Sequence, residues 1–171
     1  MNVEVLKYPT QEDWILAKQC TLVTIGKNAI TPPTDEWKVK LLKANHSPIR
    51  TLEFCFKITD IPYWVSTHLV RHIHAVPFVK TQRNDRQENY DRNEAPQGAL
   101  VDMCWFMNAE ELITIAHKRL CNQASPETQE VVREICHKVV ELCPEFKELL
   151  VPLCVYRNGK CDEFYPCGLW N

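Results

Sequence analysis

The sequence predicts an α/β (α+β) domain in which helices surround a small sheet, and three observations predict it. Capped amphipathic segments begin at Thr10, Thr34 and Ser125, the usual signature of helix starts. A period-two stretch sets Phe54, Phe56 and Ile58 against Glu53, Cys55 and Lys57, as a half-buried strand requires. A polar, Arg-rich segment from Asn84 to Gln97 is long for a connection in a compact domain, where such loops tend to be functional. The chain has 171 residues, 45% apolar and 25% charged, enough for one sizeable core. Residues 1–150 are assigned to that core, and residues 151–171 form a Cys-rich tail of the same domain.

In order, Val3, Val5 and Tyr8 make a short strand that Pro9 closes. Thr10 then caps a helix whose first-turn acids, Glu12 and Asp13, suit the positive end of its dipole. Gly26 is its expected stop. Thr34 caps a second helix with Trp37, Leu41 and Leu42 as its core stripe. Asn45-His46-Ser47-Pro48 reads as a turn before the Leu52–Ile58 strand. Ile61-Pro62 is expected to open a helix with proline in its first turn, and that helix carries Arg71 and His72 at its C-terminal end. Pro77 to Lys80 is extended. An apolar stretch from Leu100 to Met107 leads into a helix start at Asn108-Ala109-Glu110-Glu111, buried through Leu112, Ile115 and Ala116. Ser125-Pro126 starts the last long helix, with Val131, Ile135, Val139 and Leu142 facing inward, and Pro144 ends it.

The bulk properties exclude several roles. A net charge of −2 gives no general attraction to nucleic acid or membrane, so an anion site must be local. The opening MNVEVLKYP is too polar for a signal peptide, and no apolar run approaches the ~18 residues of a membrane span. The protein is expected in the cytoplasm. Its nine cysteines are then thiols or metal ligands rather than disulfides.

Chemistry concentrates between His68 and Arg92, which holds three of the six histidines and five Lys or Arg residues. Arg71-His72 sets a cation beside a titratable imidazole. Thr81-Gln82-Arg83 offers a hydroxyl and a planar fork, which together suit a phosphate monoester because Arg binds paired oxygens bidentately. The same residues also read as a solvated basic loop, with Arg71 capping a helix and His72 satisfied in a core.

The spacing Arg71-His72-Ile73, seven residues, Thr81-Gln82-Arg83 resembles the signature of the flavin-dependent thymidylate synthases: Arg-His-Arg, seven residues, Ser, one residue and Arg-Tyr. Flanking matches extend the resemblance over about residues 45–135. They include His46-Ser47-Pro48, Asn108-Ala109 followed by Arg119, and Thr128-Gln129-Glu130-Val131-Val132-Arg133. The resemblance implies homotetramers with active sites built between subunits. The reaction it implies is reductive methylation of dUMP to dTMP, with FAD as cofactor and NADPH and methylenetetrahydrofolate as co-substrates. It implies that His46, Ser47, Arg71, His72 and Arg119 contact the cofactor, and that Thr81, Gln82, Arg83 and Arg133 contact the nucleotide. Thr81 and Arg133 take the catalytic places. The chain departs from the pattern at Arg50, Ile73, Asn84 and Gln97, positions where the family keeps an acid, an Arg, a Tyr and an Arg. A related one-carbon modification such as hydroxymethylation, or a zinc-stabilised binding protein without catalysis, remains open beside methylation.

Cys143, Cys154, Cys161 and Cys167 fall in one short segment, with Cys154 and Cys161 flanking the tight-turn sequence Arg157-Asn158-Gly159-Lys160. They form a candidate zinc set, set against a simpler reading as buried small thiols.

Overall fold

Four antiparallel strands order the chain, which a computed structural model describes over residues 1–28, 30–88 and 90–170. The strands are β1 (Asn2–Lys7), β2 (Glu53–Pro62), β3 (Val76–Val79) and β4 (Leu100–Asn108), arranged β1-β2-β4-β3. Helices α1 (Gln11–Val23), α2 (Asp35–Lys43), α3 (Tyr63–Leu69), α4 (Ala109–Arg119), α5 (Pro126–Leu142) and the short α6 (Leu153–Tyr156) complete it.

The register explains which sheet face is buried. Phe54 opposes Met107, Phe56 opposes Trp105 and Ile58 opposes Met103, and all six side chains lie in the core. On the other face Cys55 meets Phe106, Lys57 meets Cys104, and Val76 and Phe78 of the edge strand continue the row, with Phe78 65% exposed. The central strand β4 therefore carries apolar residues on both faces, which hides the alternation by which a strand is read from sequence.

The caps follow the sequence. Asp13 accepts from the Thr10 N–H at 2.8 Å, while Thr10 Oγ1 accepts from the Asp13 N–H at 3.4 Å, a reciprocal box. Gly26 ends the segment at φ 68°, a conformation that favours glycine. Pro62 is the last residue of β2 and the N-cap of α3, one position ahead of the expected first turn. The first N–H groups of α3 are met from the long loop, Tyr63 donating to the Ala99 carbonyl at 2.9 Å and Trp64 to that of Gln97 at 3.3 Å.

Asn108 joins sheet to site. It is the final residue of β4 and the N-cap of α4, accepting from the Glu111 N–H at 3.0 Å, while the Ala109 N–H bonds the Leu52 carbonyl at 2.8 Å. At the opposite end of the core, Phe146 stands edge-on to Phe54 at 5.4 Å and 6.4 Å from Trp14. Three distant segments meet there without access to water. Phe146→Ala should destabilise the fold by ~3–5 kcal/mol, read as a shift of the urea midpoint. A variant as stable as the parent would show that this corner closes without Phe146.

Candidate functional site

Helices α3, α4 and α5 converge on a buried polar cluster. Arg119, in the last turn of α4, donates from Nε to His72 Nε2 at 2.9 Å and from its second terminal nitrogen to the His68 carbonyl at 2.9 Å. Glu111, eight residues earlier on α4, places Oε1 3.4 Å from His72 Nδ1. Arginine has only donors, so His72 must present a lone pair at Nε2 and hold its proton on Nδ1, toward the Glu111 carboxyl. His68 Nδ1 lies 3.1 Å from Thr128 Oγ1, which accepts from the Ser125 hydroxyl at 2.8 Å. Ser125 thus marks the start of α5 as the sequence predicts, but spends its hydroxyl on this chain of bonds rather than on a cap.

The charges conform to this geometry. His72 is pushed down to about 4, by burial first and then by the Arg119 and Arg71 guanidinium groups. Burial holds the Glu111 carboxyl above its ordinary value and Arg119 below its own. Trp105 packs its ring 6.2 Å from that of His72, and its buried Nε1 has no hydrogen-bond partner among the described residues.

The expected residues fall into separate groups. His72 and Arg119 come together through their direct hydrogen bond. Arg71 and Ile73 are exposed beside them. The cation that bonds a carbonyl in the last turn of α3 is Arg119, where the sequence offered Arg71 as a helix cap. His46 and Ser47 are exposed in a 3-10 turn, next to Arg50, whose fork grips Glu110 at 2.6 and 3.1 Å. Thr81, Gln82 and Arg83 follow β3 on the surface. The Arg83 fork is closed on Asp85, Nε to Oδ1 at 2.9 Å and the terminal nitrogen to Oδ2 at 2.6 Å. That pairing, ahead of other causes, holds the Asp85 carboxyl below its usual range. Thr81 Oγ1 accepts from the Arg83 N–H at 3.2 Å, and Gln87 donates to the Thr81 carbonyl. Arg133 lies exposed on α5, bonded to Gln129.

The proposed metal set is corrected. Cys143 is buried at the end of α5 and lines a groove with Trp14 and Lys38, away from the cavity lined by Cys154, Cys161 and Cys167. Its register in α5 places it with the core, where a thiol behaves as a small hydrophobe. Among the described residues no group of three or more His, Cys, Asp or Glu side chains is arranged to hold a metal ion.

Sequence reasoning did not single out Glu111, His68, Trp105 or Thr128. Glu111 entered the sequence analysis only as part of the helix start at Asn108, yet it is 5% exposed. A carboxylate beside the buried Leu112 and Ile115 positions was the available signal.

Comparison with known proteins bears on this geometry. Residues 84–145, from the long loop through β4, α4 and α5, match the model of the family described as thymidylate synthase complementing protein. Thymidylate synthase X from Helicobacter pylori, solved with FAD and dUMP, superposes with a TM-score of 0.63 at 14% identity, covering 80% of this chain and 92% of that one. A second structure of that enzyme complexed with FAD and dUMP gives 0.67 at 16% identity, covering 88% and 98%. This chain has the flavin-dependent thymidylate synthase fold. The UMP/dUMP methylase PolB from Streptomyces cacaoi, bound with 5-Br dUMP, shares the flavin-dependent thymidylate synthase fold with it, at a TM-score of 0.67 and 13% identity, covering 88% and 96%. No curated protein matches the chain. The small antiparallel sheet with surrounding helices expected from the sequence is the architecture of these structures, and the family match agrees with the resemblance over residues 84–145. The matched residues 84–145 carry Glu111 and Arg119 but begin after Arg71–Arg83.

The buried imidazole has a measurable signature. The folded His72 value of about 4 lies below the ordinary 6.5, so the unfolded chain takes up a proton that the fold refuses as pH falls through that window. Stability held at neutral pH should therefore drop between about pH 6.5 and 4. Glu111, shifted upward, acts in the opposite sense. In His72→Gln, which still offers Arg119 an acceptor, the drop should be smaller. Parallel stability–pH curves for the two proteins would show that His72 is not buried neutral.

Proposed function

We propose that the chain catalyses reductive methylation of dUMP to dTMP with methylenetetrahydrofolate and NADPH, in the cytosol, with FAD as resident cofactor. The observation that carries this reading is the joining of His72 and Arg119 at the convergence of α3, α4 and α5, in a chain with the fold of FAD- and dUMP-bound enzymes. The residues present fit a flavin. Arg71 offers an exposed cation beside the buried cluster, with no ion pair among the described residues, and Ile73 is 84% exposed next to it, an apolar surface that a ring system would cover. The unpartnered Trp105 Nε1 lies within the same neighbourhood.

Arg71, His72 and Arg119 would hold the cofactor, with His46 and Ser47 as further contacts. When bound, FAD would carry reducing equivalents from NADPH and supply a hydride. The chain's own part is to orient and to place charge. Glu111 and Arg119 lock the His72 tautomer. Thr81, Gln82 and Arg83 take the nucleotide phosphate, the Arg83 fork exchanging the Asp85 carboxylate for phosphate oxygens. Arg133 polarises the pyrimidine carbonyl. Because Arg133 and the Thr81–Arg83 segment share no hydrogen bond with the His72 cluster among the described residues, a second copy of the chain supplies one of the two groups. The bare sheet face and the edge strand β3 offer the contact for such an assembly, which we take to be a homotetramer.

One observation favours a second reaction. Two of the departures from the family pattern, Ile73 and Gln97, each remove a cation, at about 1.5–3 kcal/mol per charged hydrogen bond. They suit a related modification, hydroxymethylation of a pyrimidine nucleotide. Methylation needs a hydride to complete the methyl group, whereas hydroxymethylation adds water in its place. Labelled methylenetetrahydrofolate should therefore yield labelled dTMP from dUMP, or labelled 5-methyl-dCMP from dCMP, only when NADPH is present. Labelled hydroxymethyl product formed without NADPH would transfer the assignment, and colourless protein that FAD cannot reconstitute, with no product, would leave a binding protein.

Two substitutions probe the contacts. Arg71→Ala should keep the fold, by circular dichroism, and lose flavin absorbance; a variant as yellow as the parent would remove Arg71 from the cofactor site. Arg83→Lys should weaken dUMP binding roughly tenfold, while Asp85→Asn should tighten it by releasing the fork. Calorimetry giving equal affinities for all three proteins would detach this segment from the nucleotide.

A further inference from the structure

A different cluster of side chains stands at the far end of α4. Cys121, Cys154, Cys161 and Cys167 all line one small cavity of about 30 Å³, together with His117 and Glu163. Cys121 follows α4, Cys154 belongs to α6, and the other two come from the segment beyond. None is paired in a disulfide.

Two features leave donor atoms in this cavity without a partner. His117 Nε2 is buried without a hydrogen-bond partner among the described residues. The nearby acids are already engaged, Asp162 with Arg157 and Glu163 with Lys118 at 3.7 Å, which leaves sulfur as the available donor.

The segment also lacks a core of its own. Phe164 is 88% and Tyr165 75% exposed. Nevertheless, it makes a tight turn, with φ 53° at Asn158 and 94° at Gly159 and the Lys160 N–H bonded to the Arg157 carbonyl at 3.3 Å. A cross-link is the usual device where apolar burial is insufficient.

We propose that Cys121, Cys154, Cys161 and Cys167 together bind one Zn²⁺ as four thiolates, fastening residues 157–170 to the end of α4. Thiolates are soft donors suited to a tetrahedral closed site at ~2.3 Å, and the four protons leave to solvent. No three of these side chains already stand in ligating geometry, so binding draws the exposed tail inward over the cavity. His117 is the alternative donor on the wall. Cys143 has no part in it. The site is independent of the reaction proposed above.

The test uses the full chain, purified under reducing conditions without chelator. Elemental analysis should give about one zinc per chain, the stoichiometry of a single four-thiolate site. The metal should be retained in Cys143→Ser, lost in Cys121→Ser, and released when a mercurial titrates the thiols. Should Cys121→Ser fail to fold, Co²⁺ added to chelator-treated parent protein reads the site directly, through the visible bands of tetrahedral thiolate cobalt. Protein without metal that gives no such bands, disulfides among these four cysteines, or metal retained by Cys121→Ser would each overturn the proposal.

Discussion

The Arg119–His72 hydrogen bond is the constraint from which the rest of the site follows. A guanidinium cannot accept, so the imidazole must, and its remaining proton is then assigned to the side of Glu111. One residue thereby fixes a tautomer, fills a carbonyl in the last turn of α3 and, through His68 and Thr128, reaches the first turn of α5. Buried polar networks of this kind specify one arrangement because every unmet donor within them is expensive. The position of a positive charge between three helices is set by bonds rather than by apolar packing.

Most elements were legible from local chemistry. Thr10, Thr34 and Asn108 each cap the helix that follows them, and β2 alternates as written. The strand β4 was not legible as one, because Cys104 and Phe106 lie on the sheet face opposite the core, beside Cys55, Val76 and Phe78, so the pattern reads as continuous apolar sequence. Period-two reasoning presumes that one face is wet.

The site was legible in part, and for a similar reason. Spacing drew attention to His72, which lies in the buried cluster, and to the Arg83 segment, which lies on the surface. It could not show that Glu111 turns inward to meet an imidazole 39 positions earlier in the chain, nor that Arg83 is already satisfied by Asp85. Both depend on tertiary placement. The cysteine set failed at Cys143 because proximity in sequence was taken for proximity in space: α5 ends with Cys143 in the core, while Cys121, before α5 begins, is the thiol that shares a cavity with the tail.

The joint at Asn108 has a consequence for how such a chain can vary. Strand and helix meet there with no intervening residue, and Ala109 is fully buried and bonded to Leu52. Glu111 and Arg119 are therefore mounted on the sheet as a rigid arm, whose phase is set by residue count. A single inserted residue at this joint would rotate both by about 100° around the helix axis and turn them away from His72. The exposed loop before β4 has no such lever. Length changes can accumulate there while the joint stays fixed, so the site's geometry and its accessory surface are free to diverge at different rates.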